Sequence, residues 1–227
     1  MSRPTKTETL SRARSPEDKA KVREAFIAAG RRLYAQANPE AVSLRRIAAE
    51  AGYAPGAIYK YFVDQHDLFF HIRAHDMEAS TEQLRHLIAR IRSPAKRVHK
   101  LFLGTADYWL QNMEAFLVMF PAPSAHRALA IDSAGVPFGR SAVVQASLRL
   151  YYETVDEFFR TLERPPMSSH LACDILLAAV HGVIVFPCMT RSMEWSDTRL
   201  MVERLVAGLV AEWSANGGTK RIHPVGR

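Results

Sequence analysis

Chemistry-bearing side chains crowd one stretch of this sequence, Ser43 to Leu68: SLRRIAAEAGYAPGAIYKYFVDQHDL. Arg45 and Arg46 stand near its start, and Tyr59, Lys60 and Tyr61 follow one another towards its end. Guanidinium forks, an ammonium and phenol hydroxyls are suited to recognising phosphate and the edges of bases. To use them together, the chain must hold one short element proud of the surface, as a major-groove reader requires.

The local pattern supplies two short helices joined by a four-residue turn. Ser43 is a good N-cap, with Arg45 and Arg46 in the first turn that follows. Leu44, Ile47, Ala48 and Ala51 recur at helical spacing and form an inward face. Gly52 is placed as a C-cap that tolerates left-handed backbone. Tyr53 and Ala54 cross the turn, and Pro55 suits the first position of the second helix, where its missing N–H is not needed. Ile58 and Phe62 point inward at i, i+4, which leaves Tyr59, Lys60 and Tyr61 on or near the outward face. Asp64 reads as the N-cap of a longer helix, with Asp67 at N3 as in a capping box.

This stretch resembles the DNA-binding segment of the tetracycline-repressor (TetR/AcrR) family of bacterial transcription regulators. The matching residues are Ile47-Ala48, Ala51-Gly52, Ala57-Ile58-Tyr59, Tyr61-Phe62 and Leu68, preceded by Ala25, Phe26, Ala29 and Leu33 on an upstream helix. The resemblance implies an all-α chain: an N-terminal three-helix helix-turn-helix domain, then a helical ligand-binding and dimerisation domain. It also implies a DNA-binding regulator, a ligand-released repressor that meets a near-palindromic double-stranded operator as a homodimer. Carried over residue by residue, it places Ser43, Arg45, Arg46, Pro55, Gly56, Tyr59, Lys60, Tyr61 and Gln65 at the DNA. Arg45 and Arg46 would reach phosphate or a guanine edge, and Tyr59 and Tyr61 phosphate or a thymine methyl, with Tyr59 the preferred reader. Lys60 is the charged candidate on the reading element, and the small residues Pro55 and Gly56 allow close backbone approach. Two positions depart from the family pattern. Leu44 stands where a phosphate-touching Thr is common, and Gln65 stands in place of a Lys.

Charge supports the same partner independently. Residues 1–62 hold 12 Lys+Arg against 6 Asp+Glu, whereas residues 63–227 hold 18 against 17. Nearly all of the net charge of +7 therefore lies in the part that resembles a DNA-binding domain, as phosphate neutralisation requires. Residues 1–15 carry Arg3, Lys6, Arg12 and Arg14 among Pro, Ser and Thr, the composition of a disordered basic arm that can enter a minor groove.

The domains expected are this arm, a helix-turn-helix domain over 16–63, a sensing and dimerisation domain over 64–215 and a disordered tail over 216–227. Helices are expected over about 16–37, from Asp64 towards Ile91, after Ser93-Pro94, around Glu114, over 140–162 and from Ser168 to a bend or stop at Pro187. A final helix is expected from a Ser196 cap to about Trp213. Cys173 and Cys188 lie too far apart on one helix to bridge, and read as reduced and buried. No apolar run of membrane-spanning length is expected, so the chain reads as soluble and cytoplasmic.

Wide apolar stripes mark the last two helices: Leu171, Ile175, Leu176, Ala179, Val183 and Phe186, then Val202, Leu205, Val206, Leu209 and Val210. Two such pairs across a two-fold axis make a four-helix bundle, so the homodimer is expected there. The resemblance implies a ligand pocket among the middle helices. Its candidate residues are Phe102, Trp109, Met113, Phe116, Phe120, Tyr151 and His181, a set that favours an apolar or aromatic ligand. Asp67, His71 and His75 repeat at i, i+4, i+8, but further ligands are not evident, so no metal site is assigned. The sequence has no Gly-rich phosphate loop, GxSxG elbow, HExxH or Cys-x-x-Cys motif, which argues against an enzyme or a cofactor. The competing reading is a helical small-molecule-binding protein without DNA binding.

Overall fold

Side-chain caps written into the sequence start most of the helices. The computed structural model describes residues 15–36, 42–120, 132 and 134–218. Their elements are α1 (Pro16–Gln36), α2 (Leu44–Glu50), a 3₁₀ turn (Ile58–Lys60), α3 (Gln65–Ile88), α4 (Pro94–Gln111), α5 (Met113–Met119), a second 3₁₀ turn (Phe138–Arg140), α6 (Ala142–Phe159), α7 (Ser169–Met189) and α8 (Thr198–Gly217). No β-strand occurs among the described residues, and the fold is all-α. The expected basic arm, and the tail from residue 219, lie outside the described residues.

The described residues divide into two compact units, one drawn from 1–76 and 113–144, the other from 77–112 and 145–227. In the first, α1 packs against α2 and α5. Its core is Phe26, Ile27, Ile47, Ala48, Ile58, Phe62, Leu68 and Ile72. A Cβ at Gly30 would lie 2.6 Å from Ile72 Cδ1, so a larger residue there would push the Ile72 side chain aside. Beside this crossing Arg31 Nε donates to Asp76 Oδ2 at 3.1 Å. Burial raises the Asp76 carboxyl above its ordinary pKa, and the Arg31 charge works against that rise.

The N-terminus of α3 is held by two interlocked side-chain bonds. Asp67 N–H donates to Asp64 Oδ1 at 2.8 Å, and Val63 N–H donates to Asp67 Oδ2 at 3.0 Å. This is the expected capping box, with its return bond one residue earlier, on Val63 rather than on the cap itself. The bonds join the end of the reading segment to the start of the longest helix.

In the second unit α4 lies against α7 and α8, and α7 against α8. Val98, Leu101, Phe102, Ala106 and Trp109 form the buried stripe of α4, and Val202, Val206 and Trp213 that of α8. The Trp213 and Phe159 rings meet edge to face at 5.4 Å. At the end of α8 the chain is fastened down, because Arg164 N–H donates to Gly217 O at 2.8 Å and Glu163 N–H to Gly218 O at 3.1 Å.

Several expectations are corrected. The reading segment is not a regular α-helix. It runs through turns at residues 55–57 into a single 3₁₀ turn, closed by Tyr61 N–H to Ile58 O at 2.9 Å. Helix α7 passes through Pro187 and stops at Thr190, whose N–H and hydroxyl both donate to Phe186 O. The proline sits in the last turn, where its missing N–H removes a single intrahelical bond close to the helix end. Helix α8 is capped by Asp197 rather than Ser196, since that carboxylate accepts Leu200 N–H at 2.7 Å. It then continues to Gly217 instead of stopping near Trp213. Cys173 is buried as expected, but Cys188 is only half-buried. Helix α7 is also long and apolar enough to cross a membrane by length and composition, contrary to the reading that no such run exists. Its polar members are too few to break that run, although Asp174, His181 and Gly182 lie within it.

Replacing Asp64 with Ala should cost about 1 kcal/mol, the usual worth of an N-cap. Urea denaturation read by circular dichroism measures it; a midpoint equal to wild type removes the cap from the stabilising set.

Candidate nucleic-acid interface and effector residues

Helix α2 buries Leu44, Ile47 and Ala48, and this face determines what points outward. Arg45 and Arg46 are left exposed. The Ser43 hydroxyl accepts Arg46 N–H at 3.3 Å, so its side chain serves the helix cap. After α2 the backbone reverses at Gly52, whose φ of 81° favours glycine, and Tyr53 N–H reaches back to Ala48 O at 2.9 Å. Pro55 and Gly56 follow on the surface.

The reading segment is anchored from below at two points, Ile58 and Phe62, both essentially solvent-free. Between them Tyr59 stands 54% exposed and Lys60 is exposed. Tyr61 is half-buried and turns its ring against Phe26, with centroids 5.5 Å apart. The two tyrosines thus differ in position: Tyr59 points outward, and Tyr61 props the segment. Gln65 is half-buried as the first residue of α3. Gly56 is informative for a different reason. A Cβ there would meet nothing within 4 Å, and its backbone is not left-handed. Neither packing nor conformation within the subunit requires a glycine at this place.

Sequence reasoning passed over Val63. It is 71% exposed, an apolar side chain three residues after Lys60. Its place between the buried Phe62 and the Asp64 cap was the available signal.

The seven expected effector residues divide between the two units. Phe102, Trp109, Tyr151 and His181 belong to one, and Met113, Phe116 and Phe120 to the other. Phe102 and Tyr151 are partners, with ring centroids 5.4 Å apart. The Thr105 hydroxyl donates to Leu101 O at 2.9 Å, so Tyr151 O–H donates to Thr105 at 2.9 Å. Burial pushes the Tyr151 phenol up to about 12, so it stays a neutral donor. Phe116 and Phe120 pair at 5.0 Å at the end of α5. His181 is half-buried, and its Nδ1 lies 2.8 Å from Leu177 O. Burial holds its pKa below the ordinary 6.5, against the opposing pull of that carbonyl.

The Asp67, His71 and His75 series does not converge. His71 Nε2 lies 3.4 Å from Asp67 Oδ1, whereas His75 Nδ1 lies 3.4 Å from Glu24 Oε1 on α1. Among the described residues no three metal-ligating side chains group around a common point.

A helix-turn-helix with outward cations, carried on an otherwise helical chain, defines the class of helical DNA-binding regulators. Residues 26–72 match the family described as bacterial regulatory proteins, tetR family, the segment in which the sequence resembles that family. Solved structures share the fold over most of the chain. A fatty acid degradation regulator, FadR, from Bacillus halodurans has a TM-score of 0.68 at 15% identity, covering 88% of this chain and 97% of that one. FadR from Bacillus subtilis, solved in complex with stearoyl-CoA, has a TM-score of 0.66 at 14% identity, covering 83% and 97%. A TetR/AcrR regulator from Thermobifida fusca has a TM-score of 0.61 at 21% identity, covering 88% and 100%. No match was found among curated proteins.

The depressed His181 pKa has a definite sign. Stability from keeping this ring neutral is full above about pH 6.5 and is lost as pH falls towards the folded-state value, because the unfolded chain takes the proton first. Melting temperature measured from pH 8 to pH 5.5 should therefore decline more steeply in wild type than in His181→Asn; parallel curves would remove His181 as a cause.

Proposed function

We propose that this protein is a dimeric, effector-controlled repressor that reads a near-palindromic operator with the segment around Tyr59. The observation that carries this reading is the split within residues 58–62. Ile58 and Phe62 are locked into the core, while Tyr59 and Lys60 are exposed, as are Arg45 and Arg46. Gly56 supports it, since a glycine with open space around it suits close backbone approach by something outside the subunit. Val63 joins Tyr59 as a candidate for thymine-methyl contact, and Tyr61, packed on Phe26, keeps only its half-exposed edge for phosphate. Ser43, Pro55 and Gln65 complete the surface offered to phosphate. Two such heads, about one duplex turn (roughly 34–36 Å) apart, would meet successive major-groove faces. A regulator of this kind meets its operator in the cytoplasm and has no catalytic step.

The dimer is supported by α7 and α8. The most apolar part of α7 is only 28% buried within the subunit. Leu171, Phe186 and Met189 on α7 and Leu200 on α8 are large, apolar and exposed. Gly182 and Gly208 lie inside these two helices, where each costs about 1 kcal/mol relative to Ala. A Cβ at either would meet nothing within 4 Å. A second copy packed closely on α7 and α8 accounts for the exposed apolar groups and the glycines together, and gives an apolar α7 a protein partner rather than a membrane.

The effector is an apolar or aromatic molecule, in keeping with the buried Phe102, Trp109 and Phe116. The stearoyl-CoA held by a protein of the same fold is compatible with that class. Helix α3 begins at the reading segment and continues for 24 residues, so it is the lever through which an effector shifts the spacing of the heads.

In gel shifts with DNA from its own promoter region, the wild type should bind with strong salt dependence. Arg45→Ala and Tyr59→Phe should each weaken binding by about tenfold without loss of helicity, as expected for a contact worth ~1–3 kcal/mol. Gly56→Ala should weaken it with an unchanged melting temperature. Indifference to duplex DNA in dilute buffer would instead leave a helical ligand-binding protein.

Light scattering at micromolar concentration should give a dimer mass. Gly208→Leu should shift it to a monomer of unchanged helicity, because the open space permits the larger side chain within one subunit. A wild-type monomer, or a Gly208→Leu dimer, contradicts the assignment.

A further inference from the structure

Arg73 is a half-buried cation that neither the reading head nor the apolar effector residues explain. It sits on α3, and burial alone lowers its guanidinium pKa to about 10, so the group stays charged at neutral pH. Among the described residues no carboxylate pairs with it. The nearest acid along the helix, Asp76, is committed to Arg31. Residues 121–131, which follow α5 in the sequence, contain neither Asp nor Glu. What surrounds the guanidinium is weakly polar. One terminal nitrogen donates to Met119 O, the last carbonyl of α5, at 2.8 Å. The Phe138 ring lies 4.1 Å away and the Phe69 ring 5.8 Å. Nε is buried without a hydrogen-bond partner.

These contacts are poor compensation for a full charge. A helix-end carbonyl and two ring faces supply partial charges only. A guanidinium whose Nε is buried without a partner, and whose neighbours carry no full negative charge, is open to completion by an anion from outside the chain. A purely structural strut between α3 and α5 would need no charge at all. The adjoining groups are apolar: Phe70 packs edge to face on Phe138 at 5.5 Å, and Phe116 and Phe120 lie on the same end of α5 as Met119. A guanidinium within an apolar surround is a receptor for an amphiphile, with the charge on the head and the contacts on the tail.

We propose that Arg73 is the counter-ion for the anionic head group, a carboxylate or a phosphate, of an otherwise apolar effector. This narrows the effector class and rests on the effector-controlled reading above. It also supplies a coupling step. An anion that takes the guanidinium competes with Met119 O and loosens the tie between α5 and α3, the helix whose first turn is bonded to the reading segment through Asp64 and Asp67.

The test compares three twelve-carbon probes on the full-length protein by calorimetry, below their micelle concentrations: dodecanoate, dodecyl phosphate and uncharged dodecanol. At least one anion should bind about tenfold or more tightly than the alcohol, and the tighter of the two identifies the head group. Arg73→Gln should abolish that preference while leaving dodecanol affinity unchanged, and Arg73→Lys should retain part of it. Equal affinity for all three probes, no binding of either anion, or a preference that survives in Arg73→Gln overturns the proposal. If Arg73→Gln does not fold, the wild-type comparison and Arg73→Lys still decide. Failure of operator binding with a preserved anion preference would sink the regulator reading and leave this one standing.

Discussion

The ring of Phe26, solvent-free on α1, is the contact on which the reading head depends. Three other rings meet it: Tyr53 from the turn at 5.1 Å, Tyr61 from the end of the 3₁₀ segment at 5.5 Å, and Phe62 at 6.5 Å. Each such pair is worth about 0.5–1.5 kcal/mol beyond its buried area. That suffices to fix a segment too short to be a stable helix by itself. Because Tyr61 and Phe62 are both drawn onto α1, Tyr59 and Lys60 have only the outward side left. Their exposure is thus a consequence of packing one turn away, not of a propensity of their own.

The cap at the start of α3 extends this constraint along the chain. Asp64 and Asp67 bond the last residues of the reading segment to the helix that follows. A few turns on, the same helix carries Ile72 against Gly30, Asp76 against Arg31, and Arg73 against the end of α5. The polar groups left in the other unit's core behave differently. Thr105 and Tyr151 satisfy one another and the Leu101 carbonyl, so they fix α4 against α6 without calling for an outside partner.

Much of this was legible beforehand, in proportion to how local the physics is. The inward faces of α2 and α4, the caps at Ser43, Asp64 and Ser93, and the left-handed Gly52 all depend on residues within one or two turns. Choices that turn on competing neighbours were less legible. Asp197 takes the α8 cap from Ser196 because an adjacent carboxylate is the better acceptor at a helix N-terminus. Pro187 does not end α7, which runs on to a C-cap at Thr190. The candidate effector residues were chosen by type, and type does not say which unit a side chain joins.

By itself the amino-acid order determined the all-helical class, the helix-turn-helix and the concentration of positive charge in the first 62 residues, since periodicity, caps and charge are local or additive. Only the tertiary structure decided that Tyr59 projects while Tyr61 packs, that the reading segment is a 3₁₀ turn, that Gly182 and Gly208 open onto empty space, and that Arg73 is half-buried with no carboxylate paired to it among the described residues. Those outcomes depend on which residues distant in the chain come to lie against one another, and burial is a property of that arrangement rather than of any one side chain.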